Sequence, residues 1–125
     1  MKFSKDHSWV KVEGDVAIVG ISDYAQKQLK DIVFVELPEK GKKVEKGKMA
    51  ASIESVKSVS DFNSPVSGEV VDVNESLKKD PTLINKDSQG KGWLFKVKID
   101  KKGELDNLMT EEEYNKANEA WLVKG

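Results

Sequence analysis

A polar turn set between two alternating apolar runs constrains this chain more than any other stretch. Met49, Ala51 and Ile53 fall on one parity, and a second strand-like run leaves through Val59 to Phe62. Period-two patterning is the mark of a half-buried strand, so the segment reads as a β-hairpin turning at Ser55-Val56-Lys57-Ser58. Its two central places, Val56 and Lys57, hold no Gly, Asn or Asp. A primed turn needs positive φ, so a type I turn with Ser55 at its first position is expected instead. Such a turn projects a lysine from a rigid base into water.

Residue type alone does not single that lysine out. All 21 basic residues of the chain are lysine, with no arginine. Placement is what distinguishes Lys57, because a primary amine on a hairpin tip can enter another enzyme's active site and be acylated. The competing reading from the turn alone is one more solvated surface lysine, a common occurrence on loops.

At 125 residues the chain is expected to form one domain, residues 1–125, with a modest core. Charged residues make up 34% and nearly balance, for a net charge of -1, so no polyanion or anionic membrane surface is expected as a partner. Without arginine the bidentate fork that recognises phosphate and guanine is missing, and nucleic-acid binding is not expected. The absence of cysteine excludes disulfides, cysteine-ligated metal and thiol catalysis. The first residues carry neither an apolar signal core nor an arginine-rich presequence, and no stretch approaches the ~20 apolar residues of a membrane span. These features predict a soluble, cytoplasmic chain.

Further strands are expected over Trp9–Val12 and Val16–Ile21, joined at Glu13-Gly14-Asp15, then over Ile32–Leu37, Glu69–Val73 and Trp93–Ile99. In the last, Trp93, Phe95, Val97 and Ile99 alternate with Leu94, Lys96 and Lys98. Ser22 is placed to cap a short helix over Asp23–Leu29, with Asp23 favourable in its first turn. Lys40–Lys48 reads as a basic, turn-rich loop, and Asn74–Gly92 as a long polar connection with an apolar island at Leu83-Ile84 and a helical turn near Glu75–Leu77. Thr110 and Glu113 form a capping box opening a C-terminal helix of about residues 110–122. Tyr114, Ala117, Ala120 and Trp121 are its expected inward stripe.

The inventory for catalysis is poor. The single histidine, His7, has no nucleophile or metal-ligand cluster near it, and is read as a structural hydrogen-bonding residue. No phosphate loop, serine elbow or metal set appears. A Schiff-base role for Lys57 would need a desolvated lysine of lowered pKa, which a polar Ser-Val-Lys-Ser tip does not offer.

Glu54-Ser55-Val56-Lys57-Ser58 resembles the Glu-Ser-Val-Lys-Ala signature of the glycine cleavage system H-protein family, whose members carry lipoic acid on that lysine. Four further segments resemble the family in the same order: Val19-Gly20-Ile21-Ser22-Asp23-Tyr24-Ala25-Gln26, Asp31-Ile32-Val33-Phe34-Val35-Glu36-Leu37-Pro38, Ser64-Pro65-Val66-Ser67-Gly68-Glu69-Val70, and Leu83-Ile84-Asn85 with Gly92-Trp93-Leu94. Together they cover nearly the whole chain. Biotin carriers usually flank their lysine with Met, and the lipoyl domains of 2-oxoacid dehydrogenases usually place Asp before it. This chain does neither.

The resemblance implies a mainly β fold, a flattened lipoyl-domain-like barrel of two antiparallel sheets with a short early helix and a C-terminal helix. It implies a non-catalytic carrier with lipoic acid on Lys57. Its partners would be a PLP-dependent glycine decarboxylase that loads an aminomethyl group, a tetrahydrofolate-dependent aminomethyltransferase that removes it, and dihydrolipoamide dehydrogenase, which reoxidises the arm. A lipoylating enzyme would attach the arm, with Glu54 and Gly68 matching positions associated with its recognition. The family's loaded arm folds into a cleft with acidic groups; Asp61 matches one such position, while Ser8 stands where the family's His-Glu-Trp has glutamate. The family's Asp-Pro-Tyr is likewise changed, to Asp87-Ser88-Gln89. Alternative readings are an H-like carrier that relays lipoic acid to other enzymes, or a small interaction domain with Lys57 unmodified.

Overall fold

The computed structural model describes the backbone of residues 1–124 and the side chains of residues 1–118. The chain runs through β1 (Lys2–Phe3), β2 (Ser8–Glu13), β3 (Val16–Ile21), α1 (Asp23–Leu29), β4 (Ile32–Glu36), β5 (Lys43–Val44), β6 (Met49–Ser55), β7 (Val59–Asn63), β8 (Gly68–Val73), α2 (Ser76–Lys79), α3 (Leu83–Asp87) and β9 (Phe95–Ile99). A 3-10 turn over Lys102–Asn107 then leads to α4 (Glu111–Lys124).

The fold is mainly β, as the sequence predicts, and consists of two antiparallel sheets. One has six strands in the order β1-β2-β3-β9-β8-β5, and the other has three in the order β4-β6-β7. Alternation decides which side chains meet between them. Ile32, Val35, Ile53 and Phe62 point inward from the small sheet towards Val19, Val70, Phe95 and Val97 of the large one, and all are buried. Phe62 and Phe95 meet edge to face across the sandwich, with ring centroids 5.7 Å apart at 87°. That geometry adds about 0.5–1.5 kcal/mol beyond the area it buries.

A second apolar cluster, Phe3, Trp9 and Tyr114, holds α4 against the N-terminal strands. Phe3 stacks on Tyr114 with centroids 4.6 Å apart. The Trp9 indole lies across Gly20, its register partner on β3. A Cβ on Gly20 would stand 2.7 Å from Trp9 Nε1, so glycine is the residue that fits there. The indole N–H donates to the Ser88 carbonyl at 2.8 Å. The backbone of the altered Asp87-Ser88-Gln89 segment thus seats the tryptophan.

Both helix caps form as expected. Ser22 Oγ accepts from Ala25 N at 3.1 Å. Thr110 Oγ1 accepts from Glu113 N at 3.2 Å, while the Glu113 carboxylate accepts from Thr110 N at 3.0 Å.

Several details depart from the sequence reading. The basic loop contains β5, which pairs Lys43 with Glu69 and Val44 with Gly68. The long polar connection forms the expected helical turn as α2 and adds a second short helix, α3, with the apolar island at its start. Strand β9 begins at Phe95, and Leu94, expected on the polar parity, is fully buried. The Leu94 amide donates to the Val19 carbonyl at 2.8 Å and its carbonyl accepts from Asn74 N at 3.0 Å, which holds it just ahead of the strand. On α4 Ala117 is exposed and Asn118 is buried in its place. The side chains of Ala120 and Trp121 lie outside the described residues.

Candidate functional site

Strands β6 and β7 form the hairpin anticipated around Lys57, pairing Glu54 with Val59 and Ile53 with Ser60. Ser55 organises the turn. Its amide donates to the Ser58 carbonyl at 2.8 Å. Its hydroxyl oxygen accepts from the amides of both Lys57 and Ser58 at 3.2 Å. The buried serine thereby satisfies two turn amides. Neither Val56 nor Lys57 has positive φ, which agrees with the absence of turn-specific Gly or Asn. Val56, Lys57 and Ser58 are all exposed.

The tip is also pinned from outside the hairpin. Val56 N donates to the Asp31 carbonyl at 3.0 Å. Asp31 is in turn held by its neighbours, because the Asn85 side chain on α3 accepts from Ile32 N at 2.9 Å and donates to the Lys30 carbonyl at 2.8 Å. Lys30 takes a left-handed φ of 67° to make this bend. Asn85 therefore fixes the segment on which the lysine turn rests. Leu83-Ile84-Asn85 is one of the family-like segments, but this role requires contacts across more than fifty residues and carries no local signal.

A groove of about 290 Å³ opens at the free edge of β7. Ser60, Asp61 and Phe62 form one wall, Tyr24, Ala25, Gln28 and Leu29 of α1 another, and Asp6 and His7 close its end. The size is at the lower limit of small-molecule pockets, about 300 Å³, and suits a narrow chain better than a bulky ligand. Asp61 is thus placed on the groove. Ser8 is not: it is 1% exposed and its hydroxyl lies 2.5 Å from Ser4 Oγ. The carboxylate at this end of the groove belongs instead to Asp6, two residues earlier, which sequence reasoning did not single out. No spacing rule indicates which of Asp6, His7 or Ser8 faces outward, because His7 takes a left-handed φ of 67° that breaks strand alternation.

His7 is structural, as expected. Its Nδ1 lies 2.7 Å from the Tyr114 hydroxyl, and its ring packs 5.0 Å from that of Tyr24. Burial pushes its pKa below the usual imidazole value, partly opposed by the neighbouring Asp6 carboxylate. Burial likewise raises the Tyr114 phenol.

Glu54 is exposed on the outer face of β6, three residues before Lys57. Gly68 stands in the other sheet, buried between β5 and β9. A Cβ there would meet the Lys98 carbonyl oxygen at 2.0 Å. Packing alone requires glycine at this position.

A two-sheet β fold that presents a pinned, solvent-facing lysine, with a narrow groove along the same hairpin, defines a swinging-arm carrier domain. The family model described as Glycine cleavage H-protein matches residues 1–121. The glycine cleavage system H protein of Thermotoga maritima is 53% identical over 113 residues, covering 90% of this chain and 91% of that protein. Its counterpart from Xanthobacter autotrophicus is 56% identical over 114 residues, covering 91% of each. The crystal structure of a glycine cleavage system H protein from Mycobacterium marinum superposes with a TM-score of 0.86 at 39% identity, over 94% of both chains. The chain belongs to the glycine cleavage H-protein family.

Proposed function

We propose that Lys57 is the residue on which this chain carries a lipoyl group in the glycine cleavage system, with residues 1–125 acting as one carrier domain. Family membership makes the protein a lipoyl carrier and a non-catalytic component. The observation that supports Lys57 is its exposed side chain on a tip whose backbone amides are bound by Ser55 and Asp31. A rigid base with a free amine fits covalent attachment through an amide.

Bound there, the lipoyl group supplies a disulfide that accepts a one-carbon unit and two electrons. The chain's own residues supply reach, shelter and chemical silence. Lysine plus lipoyl extends roughly 14 Å from the backbone on standard bond lengths. Asp61 lies four residues beyond Lys57, a span of at most about 13 Å even for fully extended chain. A lipoyl group on Lys57 would therefore have the groove along β7 within its length, as well as a partner's site outside. Asp6 and Asp61 favour a cationic cargo there, and Tyr24, Leu29 and Phe62 offer apolar wall to a hydrocarbon chain. With no cysteine anywhere, the carrier offers no thiol to exchange with its own dithiol.

Membership of a multienzyme system implies partner enzymes. Those we infer are a PLP-dependent glycine decarboxylase, a tetrahydrofolate-dependent aminomethyltransferase, dihydrolipoamide dehydrogenase and the lipoylating enzyme. Tethering raises the effective concentration of cargo at each of them. No helix among the described residues is long and apolar enough to cross a membrane. The location we infer is the cytoplasm, a reducing compartment in which a dithiol persists. The test is glycine–bicarbonate exchange with purified glycine decarboxylase: lipoylated wild type should support it and Lys57→Arg should not.

A further inference from the structure

The outer face of the three-stranded sheet mixes exposed apolar and acidic side chains beside Lys57, and no element among the described residues covers it. Directly opposed residues on neighbouring strands share a face. The register places Phe34, Glu54 and Val59 in one row across β4, β6 and β7. Phe34 is 56% exposed and Val59 62%, and Val56 at the tip is 64% exposed. Scattered surface hydrophobics are ordinary, but here two exposed apolar side chains flank the Glu54 carboxylate beside the lysine turn. The next row is Glu36, Ser52 and Asp61, which gives the patch an acidic border with Glu54 at its centre. Among the described residues no lysine lies within ion-pair distance of Glu36, Glu54 or Asp61.

We propose that this face is the docking surface of the enzyme that acylates Lys57, a partner whose contact surface is apolar against Phe34 and Val59 and carries basic groups opposite Glu54 and along its edge. The proposal rests on Lys57 being the modified residue. Reach selects this occupant. In the acylation the neutral ε-amine attacks the carbonyl carbon of an activated lipoyl ester or anhydride. The C–N bond forms, the bond from the acyl carbon to its leaving group breaks, and the nitrogen gives up a proton. Nζ extends only about 6 Å from Cα on standard bond lengths, so the acylating centre must come that close to the hairpin. Its flanking surface then falls on Val59, two residues away, and on Glu54 and Phe34 beside it. An enzyme working on the far end of the finished arm, roughly 14 Å out, need not touch this row.

The test uses the full chain with Phe34→Ser and Val59→Ser, singly and together, and a purified lipoylating enzyme with its activated lipoyl donor. Both side chains are solvent-facing, so the melting temperature should hold. The double variant should lose at least about tenfold in kcat/KM of lipoylation, mostly through KM, as expected when interface anchors are truncated. Glu36→Lys, which leaves the apolar row intact, should also slow the reaction, more at low salt than at high. After exhaustive lipoylation the double variant should support glycine–bicarbonate exchange at the wild-type rate. Wild-type lipoylation rates in the double variant and in Glu36→Lys would overturn the proposal. So would a loss of exchange equal to or greater than the loss of lipoylation, since the face would then belong to the decarboxylase. An adduct forming on Lys57→Arg, run alongside, would instead sink the assignment of the modified lysine.

Discussion

His7 Nδ1 stands 2.7 Å from the Tyr114 hydroxyl, which in turn meets Ser22 Oγ at 2.6 Å. Three residues distant in sequence thereby join the N-terminal segment, the cap of α1 and the first turns of α4. Because His7 also ends the groove, the same network that secures α4 shapes the site.

This network should respond to acid. Burial lowers the folded pKa of His7 beneath the unfolded value of about 6.5, so the unfolded chain binds the proton more tightly. The resulting stabilisation is complete above about pH 6.5 and is lost as the pH falls through the folded value. The groups facing the ring are Asp6, Tyr24 and Tyr114. His7→Asn tolerates the left-handed backbone and removes the titration. The wild-type melting temperature should decline more steeply below pH 6.5 than that of the variant; parallel curves would contradict this.

Asp6 and Asp61 should both shelter a cationic cargo. A partly exposed carboxylate–ammonium contact is worth about 0.2–1 kcal/mol, and about 1.4 kcal/mol corresponds to tenfold. Asp6→Asn and Asp61→Asn should therefore each hasten formaldehyde release from the loaded carrier by several-fold at most. Equal release from all three proteins at fixed pH would show that these carboxylates do not hold it.

Glu54 and Gly68 should separate under the same assay. Glu54→Ala removes an exposed side chain, so the melting temperature should stay nearly constant (surface changes usually fall within about 0.5 kcal/mol) while lipoylation slows. Gly68→Ala drives a methyl group into the Lys98 backbone and should cost about 1–3 kcal/mol as an overpacked site. Its lipoylation should track the folded fraction. A Gly68→Ala protein with wild-type stability and slow lipoylation would instead point to direct recognition.

What could be seen in the sequence was local. Ser22 and the Thr110–Glu113 box cap helices because a side chain reaches amides only two or three residues away. The hairpin was visible because alternation and turn composition agree over fourteen residues, from Met49 to Phe62. Facing was harder. On α4 both i+3 and i+4 lie on the side of Tyr114, and the helix buries Asn118, not Ala117, with the amide satisfied by the Tyr114 carbonyl at 2.9 Å. The groove was the least visible part. It brings together Asp6, α1 and β7 through a left-handed histidine, and the Phe34–Glu54–Val59 row exists only once three separated strands take their register.

The central claim is that one lysine among 21 carries the arm, and intact plus tryptic mass spectrometry after incubation with a lipoylating enzyme tests it most directly. A single lipoyl adduct is expected, on the peptide containing Lys57, with none on Lys57→Arg, whose charge and melting temperature should be retained. An adduct on another lysine of the wild-type protein, or one persisting on Lys57→Arg, would contradict it.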